Sequence, residues 1–455
     1  MTPIEHTVPL APACPAVDLR SIYRKVIWRL MPFLLVAFVI NAIDRINISF
    51  AKLRMAEDIV LSDAAYGIGA GIFYFGYILF ELPSNLYMQR VGARATLTRI
   101  MVLWGLVTVA TAFVTSANQL IAARFFLGMA EAGFFPGVIL YLTYWFPAAL
   151  RGRITAAFMM AGVCAGIICG PLAGWIMTQF HGWLGLRDWQ VLFVLTGAPA
   201  ILLGLFGWFW LTDRPAQATW LSEDEKQRLA AELSNPGTAS HGHLGAALRD
   251  PRLYIAGLVY FCIYSGSNTV SYWMPTLIRG FGLEDLRAIG MIATLPYFGA
   301  VCGMYLLGRS SDRRMERRWH LAGTLLVSAG CFALLGFVQG HLWLSVTLMS
   351  LGAAAALSAV PLFWTIPPAF LSAAGAAGGI AIISSLGNLA GVVSQSLVGA
   401  IKTATGNLYL AFDLIALALV LGAVALLIGI PAHCLNERRK AGQNPAQSPS
   451  GADHD

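Results

Sequence analysis

The sequence predicts an all-α membrane protein with twelve transmembrane helices in two six-helix halves. Three observations carry this. The 455 residues are 57% hydrophobic and only 12% charged, whereas soluble domains are about a quarter charged. Twelve apolar stretches are each long enough to cross about 30 Å of hydrocarbon at about 20 residues per helix. A single long polar interruption falls midway, leaving six stretches on either side.

In chain order, residues 1–25 read as a Pro-rich, polar cytoplasmic tail with no apolar core or cleavage site of a signal peptide. The first half, 26–211, holds spans near Val26–Ser49, Tyr66–Met88, Leu97–Thr115, Leu120–Phe146, Ile154–Thr178 and Val191–Leu211. A cytoplasmic linker, 212–252, carries the charged run Ser222 to Arg228, compatible with one short surface helix, and the breaker-rich Ser234-Asn235-Pro236-Gly237. The second half, 253–432, repeats the scheme near Leu253–Thr276, Ile289–Gly308, Leu321–Val338, Leu342–Leu371, Gly379–Ile401 and Tyr409–Ala432, and 433–455 forms a second cytoplasmic tail. Pro and Gly within spans are tolerated where neighbouring helices satisfy the freed backbone groups.

Lys and Arg residues set the orientation. With the amino terminus inside, the internal loops collect most of them, while only Lys52, Arg54, Arg187, Arg279, Arg287 and Lys402 fall outside. This asymmetry places both termini in the cytoplasm, and the expected location is the inner (plasma) membrane. Trp28, Trp104, Trp183, Trp189 and Trp319 lie near span ends, where interfacial aromatics collect. The formal net charge of +7 does not point to nucleic acid, because the basic residues punctuate apolar runs instead of lining one soluble face. The seven cysteines have no paired metal-ligand spacing, so neither a disulfide framework nor a metal site is expected.

Ionisable residues inside the spans are the candidate functional groups. Asp44 and Arg45 sit in the first span within Asn41-Ala42-Ile43-Asp44-Arg45-Ile46-Asn47, and Arg124 and Glu131 in the fourth. Each costs on the order of 3 kcal/mol at a bilayer centre, so such residues face a polar cavity or a partner. Arg124 and Glu131, seven apart, share a helix face about two turns apart. Asp44 and Arg45 are neighbours about 100° apart around the helix and point in different directions. Arginine stays charged, so each needs an anion: Asp44 or Glu131 in the empty site, a carboxylate in the filled one, for which a guanidinium fork is well shaped. Protonating an acid would free its arginine. The competing reading is a static ion-pair network holding helices one and four together.

Tyr74, Tyr77 and Glu81 share a face of helix two; the tyrosines are hydrogen-bond donors or packing groups, and Glu81 is expected to pair with a loop arginine. In the second half Tyr264, Asn268, Trp273, Trp364, Ser384, Ser385 and Asn388 are neutral polar candidates, with helix packing as the alternative. Gly162, Gly166, Gly170 and Gly174, spaced by four on helix five, and Gly375, Gly378 and Gly379 before helix eleven allow close helix approach, and Pro171 is expected to bend helix five.

A loop after the second helix of each half carries a related pattern: Gly308-Arg309-Ser310-Ser311-Asp312-Arg313, then Arg317 and Arg318, with a degenerate earlier copy of Asn85, Gln89, Arg90, Gly92 and Arg94. The spacing resembles the loop signature of the major facilitator superfamily, whose fold the six-plus-six layout matches. The resemblance implies a conformational latch at Asp312, Arg313 and Arg90, with Gln89 departing from the acidic position. Asn41 to Ala51, Phe80-Glu81-Leu82-Pro83-Ser84-Asn85, Arg124 to Gly133 and Ser385-Leu386-Gly387-Asn388-Leu389 resemble its anion:cation symporter family. That resemblance implies carboxylate-binding arginines at Arg45 and Arg124 and protonatable acids at Asp44 and Glu131.

The expectation is therefore a secondary transporter importing an organic carboxylate (hydroxy acid, sugar acid or aromatic acid) by proton symport with alternating access. Substrate would lie against Arg45, Arg124, Tyr74, Tyr77, Asn268, Trp364, Ser384 and Asn388. The proton is the coupling ion, no cofactor is implied, the lipid bilayer is the surroundings, and a monomer is expected. An anion exchanger and a non-transporting receptor on the same fold are the alternatives; no nucleophile, metal or cofactor constellation points to an enzyme.

Overall fold

The first element sets the scale: Leu19–Asp58 (α1) is one helix of 40 residues, begun by Asp18, whose side chain accepts from the Arg20 amide. The structure is a computed structural model describing residues 18–234, 248–314, 316–370 and 376–430. The remaining helices of the first half are Asp63–Val91 (α2), Ala93–Thr111 (α3), Ala117–Glu131 (α4), Phe134–Thr143 (α5), Ala148–Gln179 (α6) and Asp188–Trp210 (α7). Glu223–Ser234 (α8) follows in the linker. The second half comprises Pro251–Arg279 (α9), Leu286–Ile292 (α10), Leu295–Arg314 (α11), Arg318–Leu334 (α12), Leu342–Trp364 (α13), Pro367–Phe370 (α14), Ala376–Thr405 (α15) and Leu408–Gly429 (α16). Taking α4 with α5 and α10 with α11 as single crossings, twelve helical segments are long and apolar enough to span a membrane. Most of both tails, the breaker residues Asn235, Pro236 and Gly237, and Gly375 lie outside the described residues.

Two expected single spans are divided. The fourth breaks after Glu131, where Gly133 takes φ +88°, a left-handed conformation that favours glycine. A Cβ there would fall 2.5 Å from the Ser84 hydroxyl. The eighth breaks between Ile292 and Leu295, ahead of Pro296, which cannot donate a helical hydrogen bond. By contrast, α6 runs through Pro171 as one continuous element.

Glycines fix the helix spacing within the first half. A Cβ on Gly128 would meet Phe73 O at 2.0 Å, and one on Gly76 would meet Phe125 O at 2.5 Å, so α2 and α4 touch through their backbones. Trp104, expected at an interface with the headgroups, is fully buried and packs edge-on against Phe134, 4.9 Å between ring centres. Its ring fills the space beneath the α4–α5 break, whereas Trp28 and Trp319 are largely exposed.

The linker is not a loose strap. Trp220 stacks on Trp145 at 5.5 Å, Arg214 lies 3.6 Å over the Tyr144 ring, and Tyr141 Oη donates to Thr212 O at 2.6 Å. Lys25 Nζ meets Glu225 Oε1 at 2.6 Å, and Asp213 accepts from the Arg94 amide at 2.7 Å. Residues 212–234 are thereby docked onto the first half, and Asp213 brings a carboxylate to the degenerate loop that has Gln89 at its acidic position.

The two halves meet along α2 with α15, α6 with α10 and α11, and α1 with α9. These contacts concentrate toward the distal face, away from the chain ends. Gly67 and Gly399 approach through their backbones, as do Gly170 and Gly290. Gly166 lies against Tyr297 and Gly174 against Leu286, which accounts for the four-residue glycine spacing of α6.

Candidate functional site

Halfway through the bundle, α1 presents Asn41, Asp44 and Asn47 at successive turns of one buried stripe, while Arg45 points to another side. Both charges of the adjacent pair therefore find separate partners, as the helical geometry predicts. Arg45 Nε donates to Glu131 Oε2 at 2.8 Å, and Asn41 Nδ2 donates to the same oxygen at 2.8 Å. Glu131 is the last residue of α4, so the helix break just beyond it lies beside the carboxylate that reaches Arg45 on α1. The carbonyls ending a helix carry partial negative charge, which favours the Arg45 guanidinium at this spot.

Asp44 has a different setting. It is fully buried, with Oδ1 accepting from Asn47 Nδ2 at 3.3 Å and Oδ2 from Thr108 Oγ1 at 3.4 Å; Asn47 also donates to Thr196 Oγ1 at 2.9 Å. Its contacts are thus neutral groups from α1, α3 and α7, not a salt bridge. A carboxyl group hydrogen-bonded by neutral donors in a water-poor site has no fixed cation that must accompany it.

Arg124 is the unusual member. The side chain is 1% exposed, yet Nε, Nη1 and Nη2 have no hydrogen-bond partner among the described residues. Its guanidinium carbon lies 5.0 Å from the Phe73 ring centre, and that of Arg45 lies 5.2 Å from the same ring and 5.0 Å from Tyr77. Two guanidinium groups therefore flank one aromatic ring. Arg45 Nη2 and Glu131 Oε1 are also buried without hydrogen-bond partners among the described residues, so unused hydrogen-bonding capacity gathers here. Asp44 and Glu131 act on Arg124 electrostatically without bonding it, and a buried guanidinium lacking hydrogen bonds is costly unless an anion joins it.

Tyr74 closes the distal side. Its Oη donates to Asn268 Oδ1 on α9 at 3.0 Å, linking the halves, and Asn268 Nδ2 has no partner. Asn388 is buried on α15 between Gly387, which abuts Tyr260, and Gly391, which abuts Tyr74. Trp364 packs edge-on against Tyr260 at 5.0 Å, and Ser384 is half-buried. The structure thus brings Arg45, Glu131, Tyr77, Tyr74 and Asn268 into one connected region with Arg124.

Other expectations fare differently. Trp273 does not join that region; its Nε1 donates to Gln395 at 2.9 Å in the distal contact between halves. Glu81 makes no ion pair with a loop arginine among the described residues; Arg45 is its charged neighbour, because Tyr77, one turn earlier, already lies against Arg45. At the loop after α11, Asp312 Oδ1 pairs with Arg317 Nη1 at 2.6 Å across the ends of α11 and α12, while Arg313 and Arg90 are exposed. Asn41, Phe73, Thr108 and Thr196 are site members that sequence reasoning does not single out. The asparagine had a signal, a polar residue one turn from Asp44; single threonines and a phenylalanine in apolar helices have none.

Comparison with known proteins places this arrangement. The Major Facilitator Superfamily profile matches residues 34–395. "Putative metabolite transport protein NicT" of Pseudomonas putida is 42% identical over 420 residues, spanning 92% of this chain and 96% of that protein. "Putative tartrate transporter" of Agrobacterium vitis is 42% identical over 416 residues, 90% of this chain and 94% of that protein. The crystal structure of a D-xylose-proton symporter superposes with a TM-score of 0.72 at 17% identity, covering 89% of this chain and 98% of that one, a likeness of fold alone. The chain is a multi-pass membrane transporter and belongs to the Major Facilitator Superfamily.

Proposed function

We propose that this transporter imports an organic carboxylate together with protons across the inner membrane, by alternating access, as a monomer with both termini cytoplasmic. The observation that carries the reading is Arg124, a buried guanidinium with none of its nitrogens hydrogen-bonded among the described residues, beside an Arg45 already held by Glu131. A carboxylate is the complementary ligand for a free guanidinium fork. Once Glu131 takes a proton, its hold on Arg45 weakens and the second guanidinium becomes available to the same anion. Proton uptake and anion binding are then linked through one side chain.

The name of the Agrobacterium vitis relative, with its tartrate, supports a hydroxy-acid substrate. Neutral groups at Asn268, Asn388, Ser384 and Trp364 suit the rest of such a molecule. With the positive-inside orientation, the halves touching at the distal face correspond to an inward-facing state. A monoanion entering with one proton moves no net charge, and each further proton adds about 2.3 kcal/mol per 100 mV.

The test is paired. Arg124→Ala should weaken carboxylate binding by the purified protein about 10- to 100-fold, the value of one or two charge-assisted hydrogen bonds at about 1.5 kcal/mol each. Glu131→Gln should abolish accumulation driven by a pH gradient in proteoliposomes while exchange of labelled substrate persists. Unchanged affinity in the first variant, or full pH-driven accumulation in the second, sinks the corresponding role.

A further inference from the structure

Four of the basic residues at the distal face that depart from the positive-inside pattern, Lys52, Arg279, Arg287 and Lys402, lie in the contact between the halves. Lys52 Nζ on α1 lies 2.5 Å from Asp63 Oδ1 and 3.4 Å from Thr276 Oγ1. Its side chain is 6% exposed and sits 4.1 Å from the Trp273 ring and 4.3 Å from the Tyr66 ring. Lys402 on α15 reaches Asp63 from the other half, 3.3 Å from Oδ2. Arg279 bonds Glu57 at 2.9 Å and also donates to Leu53 O, and Arg287 Nε donates to Thr178 at 2.7 Å. Arg279 and Glu57 balance each other. Asp63, however, is shared by two lysines, so the trio of Asp63, Lys52 and Lys402 carries one more positive charge than negative.

The partners divide unequally. Lys52 and Asp63 belong to the first half and remain together when the halves separate; Lys402, with Trp273 and Gln395, belongs to the second. We propose that Lys402 and the Trp273 ring form an anion-capture site on the distal face, unmasked when the halves part and Lys402 loses Asp63. There it receives the carboxylate before passage to Arg124. Closing the face returns Asp63 to Lys402 and expels the carboxylate inward, so the acid is an internal competitor for the substrate's own charge. This rests on the reading of the substrate as an organic carboxylate, and adds a second site to it.

The experiment uses proteoliposomes with labelled tartrate and labelled benzoate, comparing wild type with Lys402→Gln, Lys402→Arg and Arg124→Ala. Loss of an exposed capturing cation should raise the KM on the distal side about three- to tenfold, and flatten its dependence between about 0.01 and 0.15 M salt. The KM on the opposite face should stay unchanged, and Lys402→Arg should behave as wild type. A merely mechanical contact predicts the opposite: weakening it opens the distal face and lowers the distal KM. Hence an unchanged or lowered distal KM in Lys402→Gln, with Arg124→Ala inactive, overturns the capture site and leaves the carboxylate reading standing. If wild type accumulates neither acid, the carboxylate reading falls and the capture site falls with it.

Discussion

Gly170 and Gly290 offer a way to weigh the distal contact without touching any charge. A Cβ added at Gly170 would lie 2.3 Å from Gly290 O, where ordinary contact begins at 3.4 Å, so Gly170→Ala requires α6 and α10 to part by about 1 Å. Overpacking a close contact costs about 1–3 kcal/mol. The helix-propensity gain of alanine over glycine applies whether the face is open or closed and cancels. Because only the closed arrangement holds the clash, that energy moves the equilibrium toward the open face about 5- to 150-fold. Spin labels at exposed positions Val60 and Glu284, one on each half at the distal face, would report it in a variant whose native cysteines are replaced. Gly170→Ala should add a longer-distance population. A distance distribution identical to that of the parent would refute the claim that backbone contact sets the closed state.

Tyr74→Phe removes the hydroxyl link from α2 to Asn268 and should shift the same equilibrium by about 1 kcal/mol, roughly fivefold, read by the same labels. At the linker, the Lys25 hydrogen bond holds the Glu225 carboxyl below its ordinary range. A depressed acid contributes stability above its unfolded pKa, about 4.3, and loses it as pH falls through the lower folded value. The protection of α8 amides, corrected for the intrinsic exchange rate, should therefore fall below about pH 4 and remain unaltered between pH 5 and 8. Lys25→Ala should reduce this dependence, the Ser222 amide still bonding Glu225.

Much of the fold is legible because the bilayer imposes a coarse rule: a span needs about 20 apolar residues and few charges, and composition alone reveals that. Finer features depend on partners the linear chain does not identify. Gly133 reads as one more small residue until Ser84 is found against it. Trp220 looks like a polar-linker aromatic until Trp145 stacks on it. The divergence of Asp44 and Arg45 follows from helical angles, but which acid takes which base does not: seven-residue spacing placed Arg124 and Glu131 on one face, and the carboxylate instead reaches back to Arg45. In the linear chain Lys52 and Lys402 read as topology outliers, because their shared partner, Asp63, lies 339 residues from Lys402.

The buried charges of this protein also bear on the order in which it can be made. Among the described residues the side chains hydrogen-bonded to Asp44 and Arg45 lie before Thr196: Asn47, which also bonds Thr196, together with Thr108 and Glu131. The first half can therefore neutralise or hydrogen-bond these groups as soon as α7 is inserted, before α9 leaves the ribosome. The second half then arrives at a surface already electrically settled, apart from Arg124, and docks through glycine backbones. Biogenesis of the two halves is thus separable at the level of buried electrostatics, and a truncated first half already contains both members of the Arg45–Glu131 pair.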